Sequence, residues 1–355
     1  MDMIDLSLLE TEIQLNRNSL KADRLDMSFG EIINIYNDKL LVVDPEYQRT
    51  FRWSPYQQTK FIESVLLGIP IPPIFVAEDS NGVWEIVDGL QRTSTILSFF
   101  GLLSSMLDKN NLVLLEGDLI KGLKGITLNT LPLKFQIAIK RAVCRIEIVK
   151  WDSKEDIRYE LFNRLNTGSS PLSEQEVRNC IFRGYKVDLN SILKKIAKNE
   201  AFIELMSQSK QKVEIMYLEE LALRYFAFKY FSNDLNNKPI PVYLTEFMRT
   251  VSKGDLIGFE LEREFDKCLE FVELLNRKFG KSVFRPNGNF ALHLYDSIVY
   301  AYSNSKLADN HDEDFIVSKI QRLLEDQEYN YITTNTYSAA RLVLRFKRAL
   351  DIFNE

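Results

Sequence analysis

The stretch from Trp84 to Phe100 restricts what this chain can fold into more than any other. Val83, Trp84, Ile86 and Val87 form a short apolar run of strand type, Asp88-Gly89 is a turn pair, and Leu90, Ile96, Leu97 and Phe100 follow at helical spacing. A strand that turns sharply into a helix leaves the first backbone N–H groups of that helix unpaired. It also aims the positive end of the helix dipole at one place. Gln91, Arg92, Thr93 and Ser94 put polar side chains around that place. The junction suits an anion, and a phosphate above all.

Many Asp-Gly junctions are only turns, so the flanking sequence has to decide. Upstream, Asp44-Pro45-Glu46-Tyr47-Gln48-Arg49-Thr50-Phe51-Arg52-Trp53 packs two arginines, two carboxylates and three aromatics into a stretch too polar for a core. Ser54 as N-cap and Pro55 at the first helical position then open an amphipathic helix carrying Phe61, Ile62, Val65 and Leu66, which stops at Gly68. Ile69-Pro70-Ile71-Pro72-Pro73 forces an extended path into a strand at Ile74–Ala77, and Ser80-Asn81-Gly82 makes a hairpin back into the strand before Asp88. Arg49 either clamps the phosphate with its planar fork or, with Arg52, pairs with Asp44 and Glu46 in a surface network.

Three segments, Tyr47-Gln48-Arg49 with Trp53, Ile71-Pro72-Pro73-Ile74, and Ile86-Val87-Asp88-Gly89-Leu90-Gln91-Arg92, together resemble the N-terminal domain of GmrSD-type and SspE-type bacterial defence proteins. Leu161–Gly168 followed by Pro171-Leu172-Ser173 is similar to a further stretch of that family. The likeness covers about residues 25–185 and departs from the family pattern at Leu90 and Thr50, where glutamine and proline are usual. It implies a ParB/sulfiredoxin-like α/β fold, nucleoside triphosphate binding through an Asp-Gly-x-Gln-Arg turn, and work in antiphage or restriction-type defence beside a partner nuclease or other defence subunit.

On this reading the phosphates lie on Asp88-Gly89 and the helix that follows. Asp88 holds Mg²⁺ or polarises a water, and Arg92 neutralises charge; these two are the catalytic candidates if the triphosphate is hydrolysed. Tyr47, Gln48 and Arg49 are expected on the nucleotide, as are Gly89, Gln91, Thr93 and Ser94. Asn163 and Asn166 either meet the ribose or base, or only cap and end a helix.

With 45 basic and 50 acidic residues the formal charge is −5, so attraction to nucleic acid is not written over the whole surface. DNA binding or sensing without turnover remains the alternative, using the same arginines, and a nuclease in its own right is a weaker one. Cys144, Cys180 and Cys268 are odd in number and far apart, which suits neither a disulfide framework nor a zinc site and points to reduced cytoplasm. The start of the chain has no apolar signal segment, and no stretch reaches membrane-span length, so no membrane partner is expected. Self-association is left open.

Val143–Val149 alternates like a strand, and beyond it the periodicity is helical. The chain thus reads as α+β, with a ParB-like nucleotide-binding domain over 1–170 and an all-helical domain over 171–355. A helix from Asp152 or Ser153 to about Asn166 is expected, then one opened by a Ser173/Glu176 capping box. Further helices are expected near 213–231, 241–252, 258–278, 289–304, 313–327 and 337–353. His293 reads as a structural side chain and His311 as part of a solvated acidic turn. Arg341, Arg345 and Arg348 share one helical face, read as solvated, with phosphate contacts as the alternative.

Overall fold

The structure, a computed structural model, describes residues 6–19, 21–43, 53–79, 81–104, 106–150, 172–182, 185–230, 238–256, 258–305, 313–333 and 339–355. The chain divides into two compact units, Met1–Leu172 and Ser173–Glu355. The first is mixed α/β and the second helical.

Unit 1 is built on a five-stranded sheet of order β1-β5-β3-β4-β2. Its strands are β1 (Ala22–Ser28), β2 (Leu41–Val42), β3 (Ile74–Glu78), β4 (Trp84–Asp88) and β5 (Val143–Val149). β3 and β4 form the expected antiparallel hairpin; Gly82 takes a φ of 79° and the Asp79 carboxylate accepts from the Asn81 and Val83 amides. β5 runs parallel to β3, and β2 runs parallel to β4. Alternation along β5 puts Cys144, Ile146 and Ile148 on the core side, beside Ile74, Val76 and Ile86.

After a first helix α1 (Leu6–Ser19), helices α2 (Phe29–Asn37), α3 (Pro55–Leu66), α4 (Leu90–Phe99) and α5 (Leu133–Arg141) supply the rest of that core through Phe29, Ile32, Phe61, Ile62, Leu97 and Ile139. α3 begins where the sequence said it would. Ser54 accepts from the Gln57 amide, and the Gln57 side chain reaches back to the Ser54 amide. β1 was not legible, because Ala22-Asp-Arg-Leu-Asp-Met-Ser is too polar for a strand by propensity. Its partner makes it one. Arg24 meets Glu147 and Arg145 meets Asp26 directly across the antiparallel ladder.

A polar staple fixes α3 to the loop after α4. Glu63, only 3% exposed, accepts from the amides of Asp118 (3.2 Å), Leu119 (2.8 Å) and Ile120 (2.6 Å). One turn earlier, Thr59 Oγ1 accepts from the Leu115 amide, and Tyr56 donates to Asp118. A buried carboxylate is tolerable there because backbone donors surround it.

In unit 2 the Ser173/Glu176 box forms as expected and opens α6 (Glu174–Ile181). The helix Tyr217–Tyr230 is apolar nearly all round and therefore buried, with Leu221, Leu223, Phe226 and Phe228 inaccessible. Its charges are paired internally: Glu220 binds Arg178 and Arg224, and Arg224 also binds Asp296 at 3.0 Å. Helices at Ile240–Lys253, Leu261–Phe279, Leu292–Asn304 and Ala339–Asn354 lie where the periodicity put them. The helix expected near 313–327 is Glu313–Glu325, and a second one that was not read, Gln327–Thr333, follows it, with Asp326 accepting from the Tyr329 amide at the break. Leu189–Ala197 and Glu200–Met206 were not read from the sequence. The helix expected from residue 152 lies outside the described residues.

The arginine face near the C-terminus is only partly solvated, Arg341 and Arg348 being half-buried. Arg345 is buried, and Arg348 binds Asp326 through two nitrogens, at 3.1 and 2.5 Å. The residues that cover them come from other helices, which periodicity within one helix cannot reveal. His293 is half-buried, and burial together with the Arg345 charge pushes its imidazole pKa down, in keeping with a structural side chain. His311 lies outside the described residues. All three cysteines are free and buried.

Candidate functional site

The turn between β4 and α4 has an irregularity built into it. Asp88 pairs with Phe75 while Ile86 pairs with Val76, so the register shifts and Val87 is the extra residue of a bulge. Gly89 then takes φ 99°, ψ 6°, and starts α4 with no side chain capping it. The first N–H to close the helical ladder belongs to Thr93, which donates to the Gly89 carbonyl at 2.9 Å. The positive end of α4 therefore lies uncapped by any side chain beside the half-exposed Asp88 carboxylate.

Gly89 is required on two grounds. Its φ is one that L residues avoid, and a Cβ there would stand 2.8 Å from Ile74 Cγ1 on β3. Ile74 is itself 1% exposed and has no room to move.

The polar side chains of the turn are drawn into the framework. Gln91 Oε1 accepts from the Trp53 amide at 2.9 Å, and Gln58 donates to the Trp53 carbonyl at 2.7 Å. Trp53 also packs edge-on against Phe61, with ring centroids 5.7 Å apart. The start of α3 is thus held beside the start of α4. Arg92, 9% exposed, donates to the Pro72 carbonyl at 2.5 Å and to Asp88 Oδ2 at 2.8 Å. The Cys144 thiol also reaches the Pro72 carbonyl, at 3.7 Å; burial pushes its pKa up, and the Arg92 charge pulls the other way. Thr93 and Ser94 are buried, and neither hydroxyl has a hydrogen-bond partner.

The structure thus brings together Asp88, Gly89, Gln91 and Arg92, and places Thr93 and Ser94 just inside the helix. Tyr47, Gln48, Arg49, Asn163 and Asn166 lie outside the described residues. The roles of Pro72, Trp53, Gln58 and Ile74 were not read from sequence. The Pro72-Pro73 pair held the one available signal, since a peptide nitrogen without hydrogen keeps the lead-in out of the ladder and leaves a carbonyl for another donor.

Residues 29–183 match the family described as GmrSD restriction endonuclease, N-terminal domain. These residues belong to the GmrSD-type N-terminal domain family. The matched range contains the whole Asp88 turn, and the GmrSD-type domain reaches past Leu172 through the capped helix Glu174–Ile181. It is a domain of restriction-type defence proteins. No curated protein and no solved structure matches the chain.

Mg²⁺ is commonly held by one or two carboxylates together with substrate phosphates and water. Asp88 supplies one such carboxylate, and among the described residues no group of three or more His, Cys, Asp or Glu comes together to hold a metal. Asp88 fits an ion that arrives with phosphates. Among the described residues no helix is long and apolar enough to cross a membrane.

Proposed function

We propose that the GmrSD-type domain binds a nucleoside triphosphate at the β4–α4 turn, and that occupancy gates a partner effector in a restriction-type defence system. The uncapped α4 N-terminus beside the exposed Asp88 carboxylate carries this reading. Phosphate oxygens would accept from the first backbone amides of α4, Gly89 would allow their close approach, and Asp88 would hold the Mg²⁺ that travels with them. Arg49, from the segment between Val43 and Trp53, is the candidate for neutralising the outer charge.

Calorimetric titration with the four triphosphates, with and without Mg²⁺, tests the proposal, and phosphate release in the same samples reads turnover. Binding of none of them would refute it. The alternative of a DNA-binding module draws little support from the helical unit, where Arg345 is buried and Arg348 is taken up by Asp326. Salt dependence separates the two, because several DNA phosphate contacts give a steep fall in affinity with salt and one nucleotide gives a shallow one.

A further inference from the structure

The following rests on the nucleotide reading of the β4–α4 turn and concerns what Arg92 does there. An arginine in a phosphate-binding turn is ordinarily assigned to the phosphates. Here its side chain is 10% exposed, against 51% for Asp88. Its two terminal nitrogens point to different parts of the framework, Nη1 to the carbonyl of Pro72 at 2.5 Å and Nη2 to Asp88 Oδ2 at 2.8 Å.

One acceptor is a backbone carbonyl and the other a side-chain carboxylate, each carried by a segment that the sheet and its lead-in hold in place. Pro72 precedes Pro73 in the lead-in to β3, where ring closure fixes φ and the Pro73 nitrogen has no hydrogen to donate. Asp88 is the last residue of β4, just past the bulge and opposite Phe75. A planar fork that binds two fixed acceptors has its own plane fixed by them. Turning Arg92 outward to a phosphate would give up its bond to the Pro72 carbonyl and release the carboxylate of the same turn, leaving a largely buried guanidinium to find new acceptors.

We propose that Arg92 is a positioning residue: it braces Asp88 against Pro72, and the phosphates meet the backbone amides of α4 and Asp88 instead of the guanidinium. Arg92 acts on the nucleotide only through Asp88. Lysine cannot replace it, because one ammonium on a flexible stem lacks the fork that spans both acceptors.

The test uses the full chain carrying Arg92→Lys, Arg92→Met, Asp88→Asn, or Asp88→Asn with Arg92→Lys. Urea unfolding without ligand, followed by tryptophan fluorescence, is expected to show a lower midpoint for both Arg92 variants. Affinities for the Mg²⁺ complexes of ATP, GTP, CTP and UTP are then measured under conditions where every variant is folded. Asp88→Asn alone is expected to weaken binding on the order of tenfold, and adding Arg92→Lys to it should change affinity by less than about twofold, since residues acting as one unit are not additive. Losses that add, or Arg92 variants as stable as the parent chain, overturn the proposal. If the parent chain binds no triphosphate, the proposed function fails, and the unfolding midpoints still decide whether Arg92 is a brace.

Discussion

Gly89→Ala adds one methyl group at the point where β4 becomes α4, and the structure sets what it costs. The new Cβ would lie 2.8, 3.2 and 3.3 Å from Cγ1, Cγ2 and Cβ of Ile74. Forcing an extra methyl into packed surroundings costs about 1–3 kcal/mol. Holding an L residue at the φ of 99° adds about 1–2 kcal/mol. Against these, alanine restricts the unfolded chain and returns about 0.4–1 kcal/mol. The net expectation is a loss of about 1–4.6 kcal/mol.

All three tryptophans, Trp53, Trp84 and Trp151, belong to unit 1, so fluorescence-detected urea unfolding reads that unit selectively. In an Ile74→Ala background the contacts to Cγ1 and Cγ2 disappear while the Cβ contact and the backbone part stay, so Gly89→Ala should cost less there, by up to about 3 kcal/mol. A cost below about 1 kcal/mol, or one that is the same with isoleucine and alanine at position 74, would refute the close-approach argument.

Glu63→Leu strands the amides of Asp118, Leu119 and Ile120 and should cost about 2–4 kcal/mol in the same fluorescence assay; a neutral result would mean water replaces the carboxylate. In unit 2, burial outweighs the attraction of Lys194 and Lys198 and, with the nearby Glu176 charge, pushes Glu219 up to about 7 from 4.5. The folded state then holds a proton that the unfolded state releases, so this contribution to stability is present below pH 4.5 and is lost as pH rises to about 7. Glu219→Gln should flatten that slope in unfolding followed by helical circular dichroism, and an unchanged pH profile would count against it. Arg348→Ala should destabilise unit 2 by about 1–2 kcal/mol through the loss of its bidentate pair with Asp326, and should leave the salt dependence of any DNA binding untouched.

Local chemistry was enough for the parts of the molecule that depend on a few neighbouring residues. The Ser54 and Ser173 caps, the Asp79–Gly82 hairpin, strands β3, β4 and β5, the long helices of unit 2 and the turn at Asp88-Gly89 all follow from side chains within one turn or one strand of each other. The Ser54 box even has its second partner, Gln57, three residues on in the sequence. These signals are legible because capping, proline and period act over three or four residues. Residues 29–183 also carry enough of the motif order to show their family.

Tertiary structure alone decided what the motif's side chains do. The sequence places Gln91 and Arg92 beside a phosphate-shaped turn, yet their partners, Trp53 and Pro72, are 38 and 20 residues away and meet them only because β3 and β4 pair and α3 packs against α4. The same holds for β1, a strand by virtue of β5, and for Arg345 and Arg348, drawn inward by neighbouring helices. Away from a cap or a turn, a polar side chain has no direction fixed by its own local sequence. Its direction is set by where the nearest acceptor lies after folding, because leaving a buried donor unpaired costs more than any local preference supplies.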